Sequence, residues 1–152
     1  MIMQITDSTE KTNIARRVLE ALPDWFGIEE AREEYIRESA GQVCFANVKN
    51  GLANGFLCLK ETCKATVELA VMGVMPTKHR HGEGTALFEA AKAFAARQGY
   101  AFMQVKTVQM GKYKEYDATN QFYLSLGFQE FEVFPTLWGA WNPCQVYVLA
   151  LR

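Results

Sequence analysis

The chain lacks most of the features that would place it at once. Its 152 residues include no apolar run approaching the ~20 that cross a bilayer as a helix. The opening "MIMQITDSTEKTN" has no basic segment followed by an apolar stretch, so a secretory leader is not expected. The four cysteines, Cys44, Cys58, Cys63 and Cys144, form no CxxC pair and have no histidine at zinc-ligand spacing. They read as reduced, mostly buried thiols of a cytoplasmic protein. An excess of either charge is missing too. Sixteen Lys and Arg stand against 17 Asp and Glu, a net charge of -1, which removes any global pull towards nucleic acid or anionic membrane. There is no internal period that would indicate a repeat protein.

What remains is a chain of single-domain length with 49% hydrophobic residues, enough for one sizeable core. "IMQIT" alternates like a short strand. In "TEKTNIARRVLEAL", Ile14, Val18 and Leu22 recur at i, i+4 and i+8 on one helical face, and Pro23 stops that helix. "LPDWFGI" reads as an aromatic turn before a second helix, "EEAREEYIRESA", that ends at Gly41. The period then becomes two. "QVCFANV", a turn at Lys49-Asn50-Gly51, "GFLCLK" and "TVELAVMGVMP" predict three strands, the first two a hairpin. A helix striped by Leu87, Ala90, Ala91 and Phe94 closes at Gly99 before the strand "AFMQVKTV", a strand-helix-strand unit that makes part of the sheet parallel. Loop "QMGKYKEYD", helix "ATNQFYLSL", strand "FQEFEVF", aromatic loop "PTLWGAWNP" and strand "CQVYVLAL" complete the order. The prediction is an α/β (mixed α+β) domain over residues 1–152, with about seven strands and about four helices.

The most informative stretch is "MPTKHRHGEGTALFEAA", where Gly82-Glu83-Gly84 opens a helix. A dinucleotide fingerprint would need glycine at Leu87, and a P-loop would need Gly-Lys-Ser/Thr, so both fail. Their shared physics survives. Unpaired N–H groups and the positive dipole end at a helix start make an anion site, deepened by Lys78, His79, Arg80 and His81. The same turn also fits a tight connection with solvated basic residues. No second pair of ligands accompanies His79 and His81, so no metal is assigned.

The residues "VMPTKHRHGEGTALFEAA" resemble the acyl-CoA-binding motif of the GNAT superfamily of N-acyltransferases, V-x-P followed by Gln/Arg-x-x-Gly-x-Gly/Ala. Val74, Pro76, Gly82 and Gly84 match, and His79 stands where glutamine or arginine is usual. "NQFYLSLGF" is similar to the superfamily's closing helix signature, with Tyr123, Gly127 and Phe128 in order and spacing. Tyr116 stands where asparagine often occurs, seven residues before that tyrosine. The resemblance covers nearly the whole chain and looks like a bacterial subgroup with no secure substrate.

The resemblance implies that "TVELAVMGV" and "AFMQVKTV" are parallel strands splayed around the pantetheine arm of acetyl-CoA. Backbone groups of Met72, Gly73 and Val74 would pair with that arm. Amides from His79 through Arg80, His81, Gly82, Glu83 and Gly84 to Thr85 would hold the pyrophosphate, with Tyr116 nearby. Glu68, 14 positions before Gly82, is the candidate base. Strand alternation puts it on one face with Ala70, Met72 and Val74. Tyr123 is the candidate acid, placed near the cofactor sulfur. As bare residues, the first also fits a solvated strand glutamate and the second a core tyrosine. Trp25, Phe26, Trp138 and Trp141 are expected on loops opposite the pyrophosphate, around an apolar or cationic acceptor; Glu115 and Asp117 in "KYKEYD" fit either that mouth or a solvated loop. The expected activity is acetyl transfer to a primary amine of a small molecule or peptide. A non-catalytic acyl-CoA sensor and a ribosome-associated acetyltransferase are the competing expectations. The oligomeric state stays open, a homodimer included.

Overall fold

The computed structural model describes residues 1–79 and 81–152. Strand β1 (Ile2–Ile5) leads to Asp7, whose carboxylate accepts from the Glu10 N–H at 2.9 Å. That bond satisfies one of the free donors at the start of helix α1 (Ser8–Glu20). Pro23 occupies the first position of a one-turn helix, α2 (Pro23–Phe26), where the sequence alone suggests a turn. Next come α3 (Glu29–Ser39), β2 (Val43–Lys49), β3 (Leu52–Cys63) and β4 (Thr66–Val74). A short 3-10 turn at Pro76–Lys78 precedes α4 (Glu83–Arg97) and β5 (Phe102–Val108). Helix α5 (Lys114–Ser125), β6 (Gln129–Phe134) and β7 (Cys144–Ala150) finish the order. Lys114 to Asp117, read from sequence as loop, form the first turn of α5.

Seven strands form one sheet in the order β1-β2-β3-β4-β5-β7-β6. Among the described residues only β4 and β5 run parallel, as the strand-helix-strand pattern requires. Helices cover both faces. On one, Leu87, Phe88 and Ala91 of α4 and Tyr123 of α5 pack on Leu57, Leu69 and Val105. On the other, Ile14, Val18 and Leu19 of α1 and Ile36 of α3 pack on Phe56, Cys58 and Val71. Each fully buried large apolar side chain contributes about 1.5–3 kcal/mol. Gly73 lets α1 lie flat on β4, since a Cβ there would stand 2.9 Å from both Val18 Cγ1 and Leu22 Cδ1.

Two irregularities shape the functional region. Cys58 pairs with Val71 and Leu59 with Leu69, so Ala70 has no partner and forms a β-bulge. A bulge shifts the alternation by one residue. Met72 and Val74 therefore join Val67 and Leu69 against the α4–α5 core, while Val71 turns to the α1–α3 side. This corrects the expected grouping of Glu68 with Met72 and Val74. The second irregularity is that β4 and β5 pair only from Thr66–Phe102 to Glu68–Gln104, after which the strands part.

The parted end of β5 is tied to α5 by a buried polar network. Asn120, fully buried, donates from Nδ2 to the Val108 carbonyl at 2.9 Å and to the Tyr116 carbonyl at 2.6 Å. Its Oδ1 accepts from the Tyr147 hydroxyl on β7 at 2.5 Å. Replacing Asn120 with leucine leaves the Tyr147 hydroxyl without this partner, at a cost of about 1–3 kcal/mol per orphaned group. Asn120→Leu should lower the urea midpoint by an amount equivalent to ~2–4 kcal/mol. A midpoint unchanged from the native protein would show that the network holds nothing in place.

Candidate active site

The separation of β4 from β5 opens a cavity of about 1080 Å³. Backbone from Leu69 to Val74 forms one wall and Val105 to Val108 the other. At one end lies the start of α4. Gly82 is its N-cap at φ 79°, a left-handed conformation that favours glycine. Among the described residues no side chain caps this helix, and the first backbone bond inside it is Ala86 N–H to the Gly82 carbonyl. The N–H groups of Glu83, Gly84 and Thr85, all lining the cavity, thus stand at a positive helix end, where an anion is favoured. Gly84 faces the Phe122 ring, whose Cζ would be 3.1 Å from a Cβ at that position.

Met72, Gly73, Val74, His79, Gly82 to Thr85 and Tyr116 line this one cavity. His81 is exposed outside it, and Arg80 lies outside the described residues. His79 has a specific job. Its Nε2–H donates to the Val74 carbonyl at 2.7 Å, closing the turn onto the end of β4. Its ring meets Trp25 edge-on at 5.8 Å. Trp25 in turn donates from Nε1 to Thr119 Oγ1 at 3.1 Å, and its carbonyl accepts from the Tyr116 hydroxyl at 2.8 Å. A chain of contacts therefore crosses the parted strands from the glycine turn to α5. Trp25, expected opposite the phosphate-holding turn, instead reaches that turn, because Gly73 lets α1 and the following α2 sit low on β4.

Tyr123 lines the cavity with 6% of its surface exposed, its ring packed on Phe128 and Tyr147 at 5.8 and 6.3 Å. Burial, with smaller contributions from Tyr35 and Tyr116, raises its phenol pKa well above the ordinary value, so it holds its proton throughout the neutral range. Burial likewise pushes Tyr116 up to about 12.

Glu68 does not line the large cavity. It is 6% exposed and borders an adjoining cavity of about 340 Å³ with Tyr35, Lys60, Lys106 and Trp138. Lys106 Nζ donates to its Oε1 at 2.8 Å, and Lys60 Nζ stands 3.9 Å from Oε2. Lys106 borders both cavities and so forms the boundary between them. Phe26 and Trp138 line the large cavity, but Trp141 is 85% exposed and away from it. The β6–β7 loop turns at Gly139, φ 105°, leaving Trp138 inward and Trp141 in solvent. Arg32, Tyr35, Lys106, Thr119, Asn120 and Asn142 also build the region and were not singled out from sequence.

The sequence matches the family model described as the acetyltransferase (GNAT) domain over residues 39–130. No curated protein matches the chain by sequence. Solved structures of the same fold include a protein described as a GNAT-family acetyltransferase from Desulfovibrio desulfuricans, 18% identical, covering 100% of this chain and 99% of its own, with a TM-score of 0.85. An aminoglycoside 6'-N-acetyltransferase complexed with coenzyme A is 16% identical over 100% and 97%, with a TM-score of 0.77. The ribosomal-protein-S18-alanine N-acetyltransferase of Escherichia coli is 20% identical over 99% and 94%, with a TM-score of 0.74. The chain belongs to the GNAT family of acetyltransferases, enzymes that take their acetyl group from acetyl-CoA.

A side chain on Gly84 would press on Phe122 and fill the space in front of the α4 amides. Overpacking of that kind costs about 1–3 kcal/mol. Gly84→Val should weaken coenzyme A binding by roughly tenfold or more by calorimetry. The exposed Glu89→Ala on the same helix should leave it unchanged. Native affinity in Gly84→Val would remove the α4 start from the binding site.

Proposed function

We propose that this protein transfers the acetyl group of acetyl-CoA to a primary amine by direct attack within a ternary complex. The observation that carries the reading is the parting of β4 and β5 after three paired residues, with the uncapped start of α4 at one end of the gap. Coenzyme A fits that combination. A pyrophosphate needs the α4 amides, and a pantetheine arm with its own amides suits strand edges that have lost their neighbour. Met72, Gly73 and Val74 hold the arm, Gly82 to Thr85 the phosphates, and His79 keeps the turn against β4. Tyr116 shapes the wall and bonds to Trp25. The group supplies an activated acyl thioester. A cytoplasmic setting belongs to the same reading, on the cysteines' lack of paired spacing.

Attack forms a C–N bond and breaks the C–S bond; one proton leaves the amine and one reaches the sulfur. An alkyl amine has a pKa of ~10.4 and a thiol ~8.5, so freeing the amine is the harder task at neutral pH. Glu68, which borders the smaller cavity behind Lys106, receives that proton through an intervening water. Its hydrogen bond to Lys106 fixes one oxygen and leaves further lone pairs open. Tyr123, kept protonated by burial, donates to the sulfur. A backbone N–H near Met72 would be the donor for the developing oxyanion.

Thiol release with an amine panel tests this directly. Glu68→Gln keeps a carbonyl for Lys106 yet cannot take a proton. It should lower kcat/KM about 10²-fold or more at pH 7 and approach the native rate at high pH, where the amine is already neutral. A loss independent of pH would make Glu68 a structural group. Tyr123→Phe should lower kcat about 10²-fold with little change in KM for acetyl-CoA. Since the Tyr123 pKa is raised, the native protein should show no falling limb from loss of this acid up to about pH 9.5. Full activity in both variants would favour the acyl-CoA sensor over the enzyme.

A further inference from the structure

The acceptor end of the large cavity is built from α2, α3, β5 and the β6–β7 loop, and its chemistry is selective. Phe26 and Tyr35 meet edge-on at 5.8 Å, and Trp138 stands at the boundary with the smaller cavity. The charged groups lining the large cavity on these elements, among the described residues, are Arg32 and Lys106, both cations. Glu83, Lys114 and Glu115 belong to the first turns of α4 and α5. The acids Glu34, Glu38 and Glu68 border only the smaller cavity, where Lys60 stands 3.9 Å from Glu68 Oε2.

The two cations differ: Lys106 is ion-paired with Glu68 at 2.8 Å, whereas Arg32 has no carboxylate within hydrogen-bonding distance among the described residues. Arg32 is held in place by Nη1 donating to the Phe26 carbonyl at 3.3 Å, with a side chain 20% exposed. Its Nε is buried without a hydrogen-bond partner among the described residues. The nearest carboxylate oxygen, on Glu33, is 3.9 Å away, and both oxygens of Glu33 already accept from Arg16 at 2.8 Å. Lys106 gives one of its three donors to Glu68 and keeps the others. Asn142, from the β6–β7 loop, lines the same cavity, and its buried Oδ1 has no hydrogen-bond partner among the described residues. Unpaired buried polar atoms are uncommon enough that each calls for an explanation.

Resting on the acetyl-transfer reading, we infer that the acceptor is an amino carboxylate with a large apolar or aromatic body, such as a free aromatic amino acid. Its carboxylate lies between Arg32 and Lys106, the guanidinium being suited to a planar two-oxygen anion. The body packs against Phe26, Tyr35 and Trp138. The amine lies towards the smaller cavity that Glu68 borders. Arg32 and Lys106 are thereby specificity-determining residues.

The test compares L-tryptophan, tryptamine, which has the same body without the carboxylate, and spermidine. Turnover is followed by thiol release and product mass, and binding to the coenzyme A-saturated protein by calorimetry. The expected result is a kcat/KM for L-tryptophan at least tenfold above both others. In Arg32→Gln, KM for L-tryptophan should rise at least tenfold while KM for tryptamine stays fixed, and Arg32→Lys should recover part of the loss. A thermal melt close to native shows that Arg32→Gln is folded; if it is not, the Arg32→Lys comparison and the native three-ligand ranking decide. Equal use of L-tryptophan and tryptamine, or preference for spermidine, overturns the inference while leaving acetyl transfer intact. If no amine is acetylated, the acetyl-transfer reading fails, and calorimetry alone then decides. Selective binding of L-tryptophan supports the carboxylate site, and its absence overturns it.

Discussion

The structure turns on a hydrogen-bonding problem in the middle of its sheet. Two parallel strands, β4 and β5, pair from Thr66 to Glu68 and then separate, although both continue for several more residues. Each keeps its other neighbour, β3 for β4 and β7 for β5, so the open edges are the two that face each other. Backbone donors and acceptors inside a protein must be satisfied. A gap of this kind is stable where water fills it or where a ligand supplies the missing strand. Everything around it either props the gap open or prepares it for an occupant.

The props are polar and come from both sides. Asn120 holds the far end of β5 to α5 and, through Tyr147, to β7. His79 holds the end of β4 to its own following turn. Trp25 then spans the two, touching His79 on one side and Thr119 and Tyr116 on the other. The element expected to cover the acceptor is therefore coupled mechanically to the glycine turn that opens α4. An ordered covering segment and an ordered cradle are parts of one hydrogen-bonded chain. This also explains His79: a ring that donates from Nε2 and presents an edge to indole does two things from one position.

Much of this was legible in the sequence because its signals are local. The glycine turn fails two nucleotide motifs and keeps the helix-start physics common to both, and Tyr123, Gly127 and Phe128 lie within one helix end. What escaped depends on events between elements. The bulge at Ala70 leaves no mark in a run of apolar residues, yet it moves Met72 and Val74 to the face away from Glu68. Arg32 looks like one charge in an acidic helix until Phe26 folds back to accept its hydrogen bond. Asn120 did carry a signal. It sits at i+4 from Tyr116 and three before Tyr123, a polar residue on the inward stripe of α5, and such a residue needs partners. The site is thus less a set of motif residues than a gap those residues surround, and the gap is a property of sheet register.

The central claim is that coenzyme A fills the space between β4 and β5 as a strand would. Residue-resolved amide hydrogen exchange, measured with and without saturating coenzyme A, tests it most directly. Exchange should slow within Leu69–Val74 and at Glu83–Thr85 on adding the cofactor, with β1 and β2 unaffected. Unchanged exchange in both segments under saturating cofactor, or protection confined to other parts of the chain, would contradict the account.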